Sequence, residues 1–322
     1  MTDAPRRRRP KIRVAVPLLL AGRDRLRLEA PDPAVRALAA ELWTGADDGE
    51  DAPGGLRLRV EVVEAATEGD PEEALRWEVS DLETRLAAPG LTTSVRPREG
   101  RASASVARSL LESRPGLVAR LALEAPVTAM KMPAMQLLHA GAVVGPAGAA
   151  VIRGAAGAGE STLVAACHLA GLGFLGDESL LVDRIRPDRL EATLRDLVVT
   201  TESSRLLGLD GASVPALSGG ERKRRLPLPA PRCPADRLAR RVATLLLGPR
   251  EPGPARLEPL SGARFLEAFT RAEIPQERMY GAEPAATARA WDGRGTWLLL
   301  GASDLAGAVE RVRDVVHGIT QR

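Results

Sequence analysis

The stretch AAVIRGAAGAGESTLVAACHLA, residues 149–170, decides how this chain is read. It opens with a short apolar run, residues 149–153, of strand character. It closes with residues 161–170, where Leu163, Val164, Cys167 and Ala170 recur at steps of three and four, the spacing of a helix with one buried face. Between them lie Gly154, Gly157, Ala158, Gly159, Glu160, Ser161 and Thr162. Apart from one position, this follows the strand–GxxxxGK[ST]–helix pattern of a phosphate loop. Glycines reach backbone angles that side chains forbid, so successive N–H groups can turn inward as an anion nest. The helix start adds the positive end of its dipole. Ser161 offers a hydroxyl for Mg²⁺ and Thr162 a further phosphate contact. A flexible turn in an Ala-rich chain is the bland alternative; the flanking strand and helix argue against it.

Working outward, residues 142–144 and 149–153 predict a hairpin around the turn at 146–148. Residues 180–182, 243–247 and 296–300 predict further strands. Leu305, Val309, Val312, Val316 and Ile319 share one face of a last helix over 305–319, with Asp304 placed as its N-cap. Toward the amino terminus, Leu56–Val63 alternates apolar and polar residues, as a half-buried strand does. Residues 33–43 have helical spacing, and 103–123 predict a helix broken at Pro115–Gly116. The Gly/Pro-rich stretches 45–55, 208–234 and 249–259 predict loops. The expected organisation is a disordered basic tail (1–11), an amino-terminal α/β domain (12–130) and a phosphate-loop α/β domain (131–322).

Leu138, His139, Ala140 and Gly141, the loop at 154–162, and Gly176, Asp177, Glu178 and Asp183 together resemble the catalytic domain of HPr serine kinase and its relatives. In that family a histidine precedes the phosphate loop and an acidic pair follows its helix, at the spacing found here. The resemblance covers residues 137–320. It implies an α/β, HPr-kinase-like fold that binds ATP and Mg²⁺ and phosphorylates a Ser/Thr or small-molecule hydroxyl. On these residues it implies that the loop cradles the phosphates and Ser161 ligates the metal. Asp177 would take the acceptor proton, Glu178 would help hold the metal, and His139 would support the site. Structural readings stand beside these: a solvated turn at 177–178 and a capped histidine at a strand edge. The family's Pro-Gly-Arg-Asn signature is absent, so regulation of sugar transport does not carry over. HPr kinases form rings, which leaves a homo-oligomer open.

Glu160 is the departure that matters, because a working loop has lysine there. A pair of unit charges about 4 Å apart is worth ~4 kcal/mol at an effective dielectric of ~20, so exchanging attraction for repulsion predicts weak nucleotide binding or slow transfer. Relief would have to come from protonation, from a bridging Mg²⁺, or from a basic residue such as Arg153 or Lys223. Two functions therefore stay open: an impaired phosphotransferase, and a non-catalytic pseudokinase that binds a peptide or protein partner. The acceptor in the first case is a peptide, a protein or a small molecule.

Composition excludes other classes. The chain has 322 residues, 44% of them hydrophobic, which suits a sizeable folded core. Aromatics are 2% and the formal net charge is +3, so neither stacking platforms nor a polyanion-binding field point to nucleic acid. There are three lysines, Lys11, Lys131 and Lys223, a scarcity that fits a bacterial high-GC coding bias. Cys167 and Cys233 form no metal-ligand or disulfide pattern, which fits a reducing cytoplasm. Arg6 to Arg9 precede a short apolar run, but Pro17 interrupts it and Arg23, Arg25 and Arg27 follow, so a tail and strand are expected rather than an export signal. No apolar run is long enough to predict a membrane span.

Overall fold

Strand alternation sets the architecture. The computed structural model describes residues 18–21, 24–45, 55–65, 69–80, 82–192, 197–209, 214–215, 223–226, 238–249 and 251–319. The expected tail at 1–11, the centre of the 45–55 loop, most of 208–234 and Cys233 lie outside the described residues.

The first sheet contains β1 (Leu18–Ala21), β2 (Asp24–Glu29), β3 (Thr44–Gly45), β4 (Leu56–Val63), β5 (Arg76–Val79), β6 (Thr84–Ala88), β7 (Leu91–Arg96) and β8 (Arg101–Ala107), in the order β3-β1-β2-β4-β8-β7-β6-β5. In β4, Leu56, Leu58 and Val60 are buried while Arg57, Arg59 and Glu61 face solvent. α1 (Pro33–Leu42) starts at Asp32, whose side chain accepts the Ala34 N–H at 2.8 Å. The helix expected over 103–123 is corrected at its start. Residues 103–107 belong to β8, held between β4 and β7, because sheet pairing outweighs the helix propensity of a short Ala/Ser run. Helical structure begins with α2 (Arg108–Ser113), and α3 (Pro115–Val118) restarts with Pro115 in its first turn, where no N–H is needed. A π-helical stretch, Ala119–Glu124, leads into α4 (Ala125–Lys131). One continuous apolar core runs from Leu26 to Met130.

The second sheet contains β9 (Met135–Leu138), β10 (Gly141–Gly145), β11 (Gly148–Arg153), β12 (Gly173–Gly176), β13 (Leu180–Asp183) and β14 (Arg189–Ala192). After a three-stranded sheet of β15 (Leu197–Thr200), β16 (Val214–Pro215) and β17 (Lys223–Leu226), it is completed by β18 (Leu238–Leu247), β19 (Arg256–Pro259) and β20 (Thr296–Leu300). Its order is β12-β10-β11-β18-β14-β13-β9, with β20 pairing both β18 and β19. β11, β18 and β20 run parallel. β19 corrects the loop expected over 249–259: Leu257 packs on the core and the segment pairs antiparallel to β20.

Both faces of this sheet are covered. Ala150 and Ile152 of β11 face one core with α5 (Glu160–Leu169) and α9 (Leu305–Val316). Ala149 and Val151 face the other, with α7 (Gly262–Arg271) and α8 (Pro284–Trp291); α6 (Thr201–Leu206) follows β15. Asp304 caps α9 by accepting the Gly307 N–H at 3.0 Å. The helix ends before Ile319, which is 65% exposed and does not share the buried face. The fold is thus mixed α/β, with two large mixed sheets. Among the described residues no helix is long and apolar enough to cross a membrane.

Candidate functional site

The Gly-rich loop lies at the carboxyl end of β11 and leads straight into α5, beside the ends of the parallel strands β18 and β20. Such ends are where open α/β sheets bind ligands. Gly157 and Gly159 have φ of +80° and +103°, angles that a side chain resists. Gly159 is the residue before the first turn of α5, and no side chain caps the helix there. A cleft of about 500 Å³ opens beside the loop. Loop residues 154–158 form one wall, and Arg264, Glu267 and Arg271 of α7 stand on another.

Glu160 folds back into its own loop. Its Oε1 accepts the Gly154 N–H at 2.5 Å. Gly154 is tightly set: a Cβ there would meet Ala158 Cβ at 2.8 Å and Leu247 Cβ at 3.0 Å. Burial pushes the Glu160 carboxyl up to about 8, opposed by the Gly154 hydrogen bond and the Arg153 charge and reinforced by the nearby negative charges of Asp177 and Glu277. Near neutral pH the group is therefore largely neutral, and it holds the amide as a carbonyl acceptor rather than as a full charge.

Asp177 follows β12 and is 1% exposed. It packs where Gly141 makes room, since a Cβ on Gly141 would lie 3.2 Å from Asp177 Oδ1 and 2.5 Å from Val164 Cγ2. It is close enough to Glu160 to act on its charge, but it does not line the 500 Å³ cleft. Glu178 adopts φ +62°, and the Ser179 N–H closes onto the Asp177 carbonyl at 2.7 Å, a tight and strained turn for a non-glycine residue. His139 Nδ1 lies 2.9 Å from the Glu178 carbonyl, so it carries the ring proton there. The His139 amide donates to Glu277 Oε1 at 2.6 Å, and its carbonyl accepts from Arg153 at 2.9 Å. His139 thus ties the end of β9 to the acidic turn.

Strand alternation decides the fate of Arg153. It shares the face of Ala149 and Val151, which looks onto α7, and it lies at the inner wall of the cleft beside the loop. It is fully buried, with its guanidinium 4.4 Å from the centre of the Phe269 ring. Its Nη1 and Nη2 donate to the two oxygens of Glu277 at 2.7 and 2.9 Å, and Nε donates to the Phe269 carbonyl at 3.1 Å. The three guanidinium nitrogens of Arg153 are thus all engaged within the chain, by Glu277, the His139 carbonyl and the Phe269 carbonyl. Lys131 is equally committed, to Glu191 and to Asp24. The side chain of Lys223 lies outside the described residues.

Ser161 and Thr162 are half-buried at the start of α5. Thr162 Oγ1 is 2.6 Å from Ser203 Oγ on α6 and so turns toward the neighbouring small sheet. Ala158 donates its N–H to Ala155 within the loop at 2.9 Å. Among the described residues no cluster of three or more His, Cys, Asp or Glu could hold a metal. In this conformation the donor set does not fit a magnesium–nucleotide: the Gly154 amide is taken, the ammonium is replaced by a carboxyl, and Thr162 faces away. Glu277 and Ser203, which shape the site, carry no local sequence signal. Only their long-range partners, Arg153 and Thr162, give them a role.

No family model and no curated protein matches the chain. Among solved structures it is similar to the Hpr(Ser) kinase/phosphatase from Coxiella burnetii, at 15% identity over 58% of this chain and 98% of that one, with a TM-score of 0.25.

Proposed function

We propose that this chain is a phosphate-loop protein of the kinase type whose anion seat is closed by its own carboxyl, and that it acts by binding a peptide or protein partner rather than by transferring phosphate. The observation that carries this reading is the 2.5 Å bond from the Gly154 amide to Glu160 Oε1. An anion nest works because its amides have no internal acceptor, and here the first of them has one. The resemblance to HPr serine kinase on His139, Asp177 and the loop supports the ancestry, and Glu160 supports the loss of transfer. Magnesium–ATP titration calorimetry tests it. The expected result is no saturable binding by the natural chain at millimolar ATP, and measurable binding by Glu160→Lys, which restores the ammonium and frees the Gly154 amide. Tight ATP binding by the natural chain would sink the proposal.

One observation favours a second reading, slow transfer to a hydroxyl acceptor. Arg264 stands across the cleft from the loop and makes no ion pair among the described residues. It is a cation that could replace the missing lysine. That reading expects weak magnesium–ATP binding that Arg264→Ala removes.

A further inference from the structure

The strands that carry the loop at their carboxyl ends have a second opening at their amino ends. A cavity of about 740 Å³ lies there, lined by Ala147 of the β10–β11 turn, Arg240 and Arg241 of β18, Asp188, Trp291 and Arg294. Gly295 shapes its rim. It has φ +67°, and a Cβ on it would lie 2.5 Å from the Val242 carbonyl, so the 291–295 turn closes against β18 only with glycine there.

The charges in this cavity do not balance. Arg240 Nε lies 3.4 Å from Asp188 Oδ2, and that pair accounts for the acid. Arg241 is 7% exposed and stacks over Trp291, 4.7 Å from the ring centre. Its Nη1 donates to Thr244 Oγ1 at 3.2 Å and its Nη2 to the Arg294 carbonyl at 2.9 Å. Both acceptors are neutral, and among the described residues its Nε has no hydrogen-bond partner. Burial first, and then the Arg294 charge, bring the Arg241 guanidinium down to about 10, against a weaker opposing pull from the Asp188 carboxylate. Buried charges are normally paired. Arg153 shows how this fold does so, meeting both oxygens of Glu277. Arg241 has comparable burial, but the one carboxylate that acts on it, Asp188, pairs with Arg240 and makes no direct bond to Arg241 among the described residues.

We infer that this cavity binds a phosphate monoester, its dianionic group held by Arg241 and Arg294 and its apolar body resting on Val242 and Ala290, with the buried Trp291 ring beneath Arg241. A dianion matches the two guanidinium charges left once Arg240 and Asp188 are paired, and guanidinium forks suit phosphate oxygens. A monocarboxylate leaves one charge over. The site lies at the opposite strand ends from the loop and does not rest on the reading of Glu160.

The test uses the full chain with phenyl phosphate and benzoate as probes, by calorimetry at low ionic strength and by tryptophan fluorescence. Phenyl phosphate is expected to bind at one site at least about tenfold more tightly than benzoate. Arg294→Ala, on the exposed rim where the fold is not at risk, is expected to weaken it by about tenfold or more. Arg241→Met, which keeps packing over Trp291, should weaken it further, with circular dichroism checking that it folds. The fluorescence change on binding should vanish in Trp291→Phe, which separates this cavity from the loop. The inference fails if phenyl phosphate shows no saturable binding up to about 10 mM. It fails equally if benzoate binds as well, if Arg294→Ala has no effect, or if the fluorescence change survives Trp291→Phe.

Discussion

Glu160 Oε1 accepts the amide of Gly154, six residues earlier in the same loop, at 2.5 Å. The bond links the first residue after β11 to the first residue of α5, so the loop is closed on itself by the residue that most distinguishes it. From the sequence, Glu160 is a like charge set against phosphate. In the fold it is a largely neutral group turned back onto the Gly154 amide, because burial first, and then the Asp177 and Glu277 charges, outweigh the Gly154 bond and the Arg153 charge that favour its ionisation.

That environment makes stability depend on pH in a definite direction. The folded-state value for Glu160 is raised from 4.5 to about 8, so the folded chain holds this proton more tightly than the unfolded one. The contribution is therefore complete below about pH 4.5 and is lost as pH rises through about 8. Its nominal size is on the order of 5 kcal/mol, less because the side chain keeps some contact with water. Glu160→Gln keeps an acceptor for Gly154 and removes the titration. Its thermal midpoint should exceed that of the natural chain at pH 9, and the gap should close toward pH 5. An equal pH slope in both proteins would show that Glu160 ionises freely.

The Arg153–Glu277 pair should behave as a buried ion pair with no solvent to relieve it. Arg153→Met leaves Glu277 buried beside Glu160 and Asp177, and is expected to cost about 3–5 kcal/mol. Combining it with Glu277→Leu should recover part of that loss, because no uncompensated charge remains. Urea unfolding of the two single variants and the double variant measures this. If the losses simply add, the pair is not coupled as the geometry requires.

Local pattern made the Gly-rich turn between a strand and a helix, the hairpin before it, the β4 alternation and the Asp304 cap legible, because each is written in neighbouring residues. The strand at 101–107 was not, since its Ala/Ser composition reads as helix and only pairing with β4 and β7 overrides that. The same limit applies to the site. Its glycines, acidic pair and histidine stand out by type and spacing. The partner of Arg153 lies 124 residues away in a short 3₁₀ helix, Pro275–Gly281, and the partner of Thr162 is on α6. The direction in which Arg153 points follows from strand parity, which needs the strand's register before it can be used.

Gly141 reports on how closely Asp177 is held. Gly141→Ala places a methyl 2.5 Å from Val164 Cγ2 and 3.2 Å from Asp177 Oδ1, a clash in a packed interior. Overpacking of this kind costs about 1–3 kcal/mol. The companion change Val164→Ala opens space on the α5 side and should restore part of the loss. The shift in denaturation midpoint gives the answer, and an unchanged midpoint for Gly141→Ala alone would mean that β10 and α5 are further apart than described.

Lys131 closes α4 and is buried between Glu191 of β14 and Asp24 of β2, so one ammonium joins the two large sheets. Its stem leaves the apolar core that ends at Met130, and its charge has no route to water at 5% exposure. Lys131→Met keeps the stem's volume but strands the Glu191 carboxylate, which is 1% exposed. The expected cost is about 3–5 kcal/mol. Because the lysine touches both sheets, hydrogen exchange should quicken in β2 and β14 together, not in one alone. Adding Glu191→Leu removes the stranded charge and should bring the stability back toward that of the natural chain while leaving Asp24, 35% exposed at its side chain, to be solvated. A Lys131→Met variant as stable as the natural chain would mean that this ammonium is not the charge that holds Glu191 in the interior.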